Sequence, residues 1–219
     1  MSSIIKANVI SEVTSANGVS IDGVTIKDSQ VPASAGSSMV LINKATASNS
    51  TSIEFKDGVG GVVMDSTYSN YIFQMTNLLP YQDSVAFVSN FLRGSSVSAS
   101  CRGVLIKGRT DAYAGGSTTD VGAVYSTGGL FTCDVVTNDT AHKLTGVSGT
   151  MTVPNPSATN VYKSATGQLV VVRNGDYMDC ILFSGLDASA LTAIDGVKFN
   201  FGSNSIASGT ISMYGLKDA

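Results

Sequence analysis

Short runs in which apolar and polar residues alternate recur along most of this chain, separated by clusters of Gly, Asn, Asp and Ser. Successive side chains of a β-strand point to opposite faces, so a period of two predicts strands with one buried face. Many such strands at short spacing are typical of an antiparallel sandwich or barrel. The runs are 39–43, 51–55, 61–64, 71–80, 85–92, 104–107, 130–135, 147–153, 167–183, 196–201 and 209–216.

Helices are disfavoured by the acidic residues, of which only Glu12 and Glu54 are Glu, the acidic residue that helices prefer. The one stretch with a helical pattern is 187–194, which has Asp187 as its N-cap and room for about two turns. We expect this stretch to link two strands, within an all-β chain.

A five-residue phrase is written twice near the start, as NGVSI and then DGVTI at residues 17–26. Asp22-Gly23 suits the positive φ angles of a two-residue type I′ turn, which predicts a β-hairpin. The predicted pairs are Val19 with Ile26, Ser20 with Thr25, and Ile21 with Val24. The four apolar residues share one face, and a lone two-stranded hairpin is only marginally stable. Val19, Ile21, Val24 and Ile26 are therefore our candidate oligomerisation or attachment residues.

A second hairpin is predicted at 167–183, where Asn174-Gly175 is the turn. The predicted pairs are Arg173 with Asp176, Val172 with Tyr177, and Val171 with Met178. Asp176 and Asp179 are three apart, so they point to opposite faces of a strand and do not form the carboxylate pair of a glycosidase. We expect both to be solvated at the hairpin edge.

Residues 29–38, SQVPASAGSS, have the composition of a flexible connector. They divide the chain into an N-terminal arm, residues 1–38, and a β domain, residues 39–219. The spacing of the runs leads us to expect about ten to twelve strands in that domain.

The net charge is −3, and the basic residues are scattered singly along the chain. Nucleic-acid binding is not expected, because it rests on clustered phosphate contacts. No apolar stretch approaches the roughly 18 residues of a membrane span. The opening residues, MSSIIKANVISEV, lack the apolar stretch and cleavage site of a signal peptide, so we expect neither membrane insertion nor ordinary export.

The three cysteines, Cys101, Cys133 and Cys180, are odd in number and widely spaced. We expect buried free thiols, since disulfide frameworks and metal sites need closer paired spacing. The only histidine, His142, lies in a polar, turn-like stretch, and no serine sits in a Gly-x-Ser-x-Gly elbow. No catalytic residue, metal site or cofactor is therefore predicted.

Two groups of residues are candidates for a ligand site. Asp111, Tyr113 and Asp120 belong to a predicted loop, 109–120, that could touch a sugar but lacks the regular ligand spacing of a calcium loop. They are our candidate receptor-contact residues. The aromatic residues of the second group are predicted to be core rather than a carbohydrate platform, since aromatic side chains on a strand are more often buried. This group is Tyr68, Tyr71, Phe73 and Tyr81.

The stretch 10–28, ISEVTSANGVSIDGVTIKD, resembles a segment that recurs near the N-termini of tailed-bacteriophage fibres and related virion proteins. The strands around 68–80 and 206–217 are similar to the opening and closing strands of small jelly-roll-like domains in that group. The chain differs from long fibres in lacking a repetitive shaft. The resemblance implies an antiparallel jelly-roll-like β-sandwich with an N-terminal β-hairpin arm, assembled as a homotrimer.

These observations lead us to expect a non-enzymatic structural protein of a tailed-phage virion, assembled in the host cytoplasm. Its first role would be that of a trimeric external appendage, a short tail fibre or receptor-binding protein. The alternatives are a capsid decoration or head-fibre protein and, second, a polysaccharide depolymerase. The expected partners are further copies of itself, tail or capsid proteins, and a host surface glycan.

Overall fold

The computed structural model describes residues 19–21, 24–26, 38–98, 101–111, 117–124, 131–136, 146–173 and 177–217. Fifteen strands and no helix occur among these residues. In chain order they are β1 (Val19–Ile21), β2 (Val24–Ile26), β3 (Met39–Thr46), β4 (Ile53–Lys56), β5 (Asn70–Pro80), β6 (Val85–Arg93), β7 (Ser96–Val97), β8 (Cys101–Asp111), β9 (Ser117–Val124), β10 (Phe131–Val136), β11 (Val147–Pro154), β12 (Lys163–Arg173), β13 (Tyr177–Asp187), β14 (Gly196–Asn200) and β15 (Ile206–Leu216).

The strands form three antiparallel sheets. An eight-stranded sheet has the order β3-β15-β5-β11-β12-β13-β8-β9, and a five-stranded sheet has the order β10-β6-β14-β4 with β7 beside β6. The third sheet is the β1-β2 hairpin alone. The two larger sheets enclose the core, so the fold is the all-β sandwich that the sequence predicts; the jelly-roll connectivity stays a prediction. The number of strands from β3 to β15 slightly exceeds the expected ten to twelve.

Aromatic rings from both sheets meet at the centre of the core. Phe73 of the large sheet lies 5.5 Å from Phe199 of the small sheet and 5.5 Å from Phe55, measured between ring centroids. Phe87 stacks on Phe199 at 6.1 Å. Offset and edge-to-face rings of this kind stabilise a core beyond the area they bury. These ring contacts therefore stabilise the face-to-face packing of the two sheets.

The alternation on β5 is confirmed, since Tyr71, Phe73 and Met75 are all buried. Tyr68 is partly buried and meets Tyr71 edge to face at 5.8 Å. The prediction of a core position is wrong for Tyr81, which is exposed. Tyr81 lies just past the end of β5, where the strand pattern no longer determines which side faces inward.

The register of the first hairpin is also confirmed. Val19 pairs with Ile26, Ser20 with Thr25 and Ile21 with Val24. That the four apolar residues share one face of the hairpin stays a prediction from strand alternation.

The register of the second hairpin differs from the prediction by one residue. Arg173 pairs with Tyr177, Val172 with Met178 and Val171 with Asp179, so three residues rather than two separate the strands. A slip of one residue exchanges the two faces of a strand.

The exchanged faces change the surroundings of several β13 side chains. Ile181 and Phe183 lie in the core, whereas Met178 and Leu182 are exposed. Asp179, expected at a solvated edge, is fully buried, because β13 lies between β12 and β8 and Arg109 pairs with the carboxylate.

Two further predicted elements are absent where they were expected. The run 61–64 is not a strand, because Gly60 and Gly61 have φ angles of 60° and 80°, and the Asp57 carboxylate closes the loop by accepting the Met64 N–H at 2.8 Å. The stretch 187–194 contains no helix. Asp187 instead ends β13, and its carboxylate accepts the Ser189 N–H at 2.9 Å.

Candidate functional site

The structure places the predicted site residues apart from one another. The hairpin that carries Val19, Ile21, Val24 and Ile26 pairs with no other described strand. Asp111 is the last residue of β8, and Asp120 lies within β9, where it pairs with Lys107. Tyr113, His142 and Asp176 lie outside the described residues.

The thiols also differ from one another. Cys101 is buried and free, as expected, but Cys180 is exposed, so the prediction of a buried thiol is wrong there. The reason is the register of β13, which turns position 180 outward. Cys133 lies in β10, and its side chain is outside the described part of the structure.

The outer side of the eight-stranded sheet carries a group of exposed aliphatic residues on three adjacent strands, β12, β13 and β8. Each of them is 36% to 54% exposed. We name this group the apolar sheet face; it comprises Val104, Ile106, Val170, Met178, Leu182 and Leu186.

Strand register brings these residues close together, with Ser184 opposite Val104 and Arg102 opposite Leu186 among them. Leu182 pairs directly with Ile106, and Val170 pairs with Cys180, which is exposed on the same face. Directly opposed residues lie about 5 Å apart and diagonal neighbours about 7–8 Å apart, so long side chains of successive rows are within reach of one another. Contiguous exposed apolar patches in soluble proteins mark interaction sites.

The rest of the same sheet is different. On β5 and β11 the outward positions include exposed Gln74, Thr76 and Thr150, and Thr152 is partly buried. A smaller exposed pair, Met39 and Leu41, lies on the edge strand β3. The sheet therefore has a hydroxyl-rich and amide-rich middle, and its main apolar patch lies towards the β8 side.

A buried charge cluster lies between the two sheets at one end of the sandwich. The Arg93 Nη1 of β6 is 2.5 Å from the Asp187 Oδ2 of β13, and Asp187 is fully buried. Arg93 also donates to the Ser98 hydroxyl at 2.6 Å, to the Thr192 hydroxyl at 3.0 Å and to the Ala190 carbonyl at 3.2 Å. The guanidinium thus joins both sheets to the 188–195 connection.

Lys163 completes this cluster. Its ammonium is buried and donates to the carbonyls of Val161, at 2.7 Å, and Leu191, at 3.2 Å. Burial, together with the nearby charge of Arg93, lowers the pKa of Lys163, and the charge of Asp187 partly offsets this. The two loops that Lys163 connects are thereby held together by charge-assisted hydrogen bonds.

The pKa shifts in this cluster indicate a structural rather than a catalytic role. Burial would raise the pKa of Asp187, but hydrogen bonds from Ser189, Arg93 and Ser98 outweigh it and hold the pKa below its usual range. Burial, with a smaller contribution from Asp187, raises the pKa of the Cys101 thiol to about 12. A thiol with such a pKa is a poor nucleophile at neutral pH.

A second buried ion pair lies across β8 and β13. The Arg109 Nε is 2.8 Å from Asp179 Oδ1, and its Nη2 is 3.4 Å from Oδ2. The two residues are direct partners in the strand register. A fork-like pair of this kind satisfies both carboxylate oxygens and fixes the alignment of the two strands.

Neither a metal centre nor a membrane helix was found in the described ranges. They contain no group of three or more His, Cys, Asp or Glu residues placed to hold a metal ion. Within the same ranges, no helix has the length and apolarity needed to cross a membrane.

Comparisons with protein-family models, with curated proteins and with solved structures found no match to this chain. The geometry of the apolar sheet face is therefore the main guide to function.

Sequence reasoning missed the apolar sheet face. The signal that could have revealed it is the failure of alternation on β13, where Met178, Cys180 and Leu182 are apolar at one parity and Ile181 and Phe183 at the other. A strand that is apolar on both faces has two surfaces to cover.

Proposed function

We propose that this chain is a non-enzymatic structural protein of a tailed-phage virion, acting as a homotrimeric external appendage such as a short tail fibre or receptor-binding protein. The observation that supports self-assembly is the apolar sheet face on β8, β12 and β13. Completing the burial of a half-exposed aliphatic side chain is worth about 1 kcal/mol, so six such residues favour association before its entropic cost is counted. The virion setting rests on the fibre-like segment at 10–28.

The charged residues support a structural rather than a catalytic role. Asp179 and Asp187 are both held in ion pairs with arginine. A carboxylate whose oxygens contact a guanidinium inside the sandwich is not placed to transfer a proton to a bound substrate. The depolymerase alternative would need carboxylates that are free to exchange protons beside a bound sugar.

Static light scattering of the purified full chain tests the assembly. A mass three times that of the chain, 22.5 kDa, is expected, and a monomer at every concentration would contradict it. A reducing-sugar assay on host polysaccharide tests the depolymerase alternative, and no release is expected.

A capsid decoration protein remains the second candidate, because a broad sheet face suits packing on a shell as well as packing on another copy. Imaging particles with and without this protein separates the two roles. Density lost at the tail supports the appendage, and density lost over the shell supports decoration. Candidate contacts of Asp111, Tyr113 and Asp120 with a host glycan belong to the appendage role only.

A further inference from the structure

Two parts of this chain are candidates for a contact. One is the apolar sheet face, and the other is the β1-β2 hairpin, whose paired strands carry the predicted attachment residues Val19, Ile21, Val24 and Ile26. Each strand of this hairpin is only three residues long, and among the described strands the two pair only with one another. Such a hairpin gains stability by lying on another surface.

The dimensions of the two surfaces correspond. Neighbouring strands lie about 4.8 Å apart, so β12, β13 and β8 span roughly 10 Å, about the width of a two-stranded hairpin with its side chains. Sheets pack face to face at about 10 Å when both contacting faces are apolar. One hairpin is therefore wide enough to cover the centre of the apolar sheet face, around Leu182 and Ile106.

A hairpin from another molecule can reach this face. In the single chain the hairpin is formed, yet the residues of the apolar sheet face are still 36% to 54% exposed. Residues 27–38 join the hairpin to β3 and can extend to about 40 Å, which is enough to reach a neighbouring copy.

We propose that the hairpin of one copy packs its apolar residues on the apolar sheet face of a second copy. This inference rests on the proposed self-assembly and identifies the surfaces that meet. The contact joins two different patches, so it is head to tail, and a closed ring of such contacts accounts for a trimer. It differs from three hairpins bundled around a shared axis, in which the sheet face would stay exposed.

Cysteine cross-linking tests this contact, because Cys180 already provides an exposed thiol within the apolar sheet face. Val19→Cys, Ile21→Cys, Val24→Cys and Ile26→Cys are made singly, treated with a short bis-maleimide, and the joined peptides identified by mass spectrometry. Mixing copies that carry two different tags distinguishes links between chains from links within one chain. We expect links between chains from at least one of these positions to Cys180.

The controls use the opposite face of the hairpin and the acceptor thiol. Ser20→Cys and Thr25→Cys are expected to link to Cys180 at least about fivefold less, since strand alternation turns them away from the contact. Cys180→Ser should abolish the link. Equal linking from both hairpin faces, or links confined to one chain, would overturn the proposal.

A second measurement does not depend on cross-linking geometry. Leu182→Ser should raise the dissociation constant of the assembly about tenfold, whereas Gln74→Ser, at an exposed position of β5 outside the apolar sheet face, should leave it unchanged. Both variants are first checked for an unchanged melting temperature.

The outcomes separate the two proposals. A trimer that forms no link to Cys180 and is insensitive to Leu182→Ser would overturn the hairpin contact and leave the proposed function intact. A protein that is monomeric at every concentration would overturn both.

Discussion

Arg93 and Asp187 connect the two sheets of the sandwich, with the guanidinium Nη1 2.5 Å from a carboxylate that is fully buried. Arg93 comes from β6 in the small sheet and Asp187 from β13 in the large one. A buried pair of this kind adds little over a well-packed apolar pair, but removing one partner leaves the other charge uncompensated.

We expect Arg93→Met to lower the free energy of unfolding by about 3–5 kcal/mol, because Asp187 would remain buried without its cation. Lys198→Met is the matched control, since the Glu54–Lys198 pair has the same type of contact, at 2.9 Å, in a solvent-exposed position. It should cost less than about 1 kcal/mol. Urea unfolding of both variants measures the difference, and equal losses would contradict this prediction.

The pH dependence of stability should also report on Asp187. Hydrogen bonds hold its pKa below the usual 3.8 despite burial, so the native state favours the ionised form. This contribution is complete above about pH 5 and is lost as the pH falls through 3.8 towards the native pKa. The difference in unfolding free energy between the natural protein and Asp187→Asn should therefore shrink between about pH 5 and pH 3. A difference that stays constant over this range would contradict the assignment.

Gly215 should not tolerate a side chain. A Cβ atom there would lie 2.4 Å from the Tyr68 ring, whereas a Cβ atom at Gly108, also in the large sheet, would meet nothing within 4 Å. We expect Gly215→Ala to cost about 1–3 kcal/mol through overpacking. Gly108→Ala should be neutral or stabilise by up to about 1 kcal/mol, because Gly weakens a strand interior. Thermal unfolding of the two variants compares them directly.

The reactivity of the thiols should follow their surroundings. Cys180 is exposed, whereas Cys101 is buried and its pKa is raised to about 12 by burial. In dilute native protein at pH 8 we expect a maleimide to label Cys180 promptly and Cys101 only after unfolding. Peptide mass spectrometry identifies the labelled site. Equal labelling of both thiols before unfolding would contradict the burial of Cys101.

The two hairpins show how far the sequence determines the fold. The register around Asp22-Gly23 was predicted correctly, because the turn and the mirrored flanks agree. At Asn174-Gly175 the turn dipeptide alone predicted a two-residue connection. The observed register of the paired strands differs from that prediction by one residue. Local turn chemistry was outweighed there by contacts that a single hairpin does not contain.

Those contacts explain why the candidate site was missed. Met178 and Leu182 are as apolar as Ile181 and Phe183, so the pattern of β13 does not say which face is buried. The choice depends on distant partners, since Arg109 neutralises Asp179 and Arg93 neutralises Asp187 on the inner face. Each arginine is far from its aspartate in the chain, and no local rule pairs them.

The ion pairs of β13 also bear on how accurately the chain folds. A strand with two apolar faces can pair one residue out of register and still bury aliphatic side chains, so hydrophobic burial discriminates poorly between the two pairings. A slipped β13 would turn Asp179 and Asp187 outward and leave Arg93 and Arg109 without carboxylates. The two aspartates therefore disfavour a misaligned pairing of β13 that its apolar residues alone would permit.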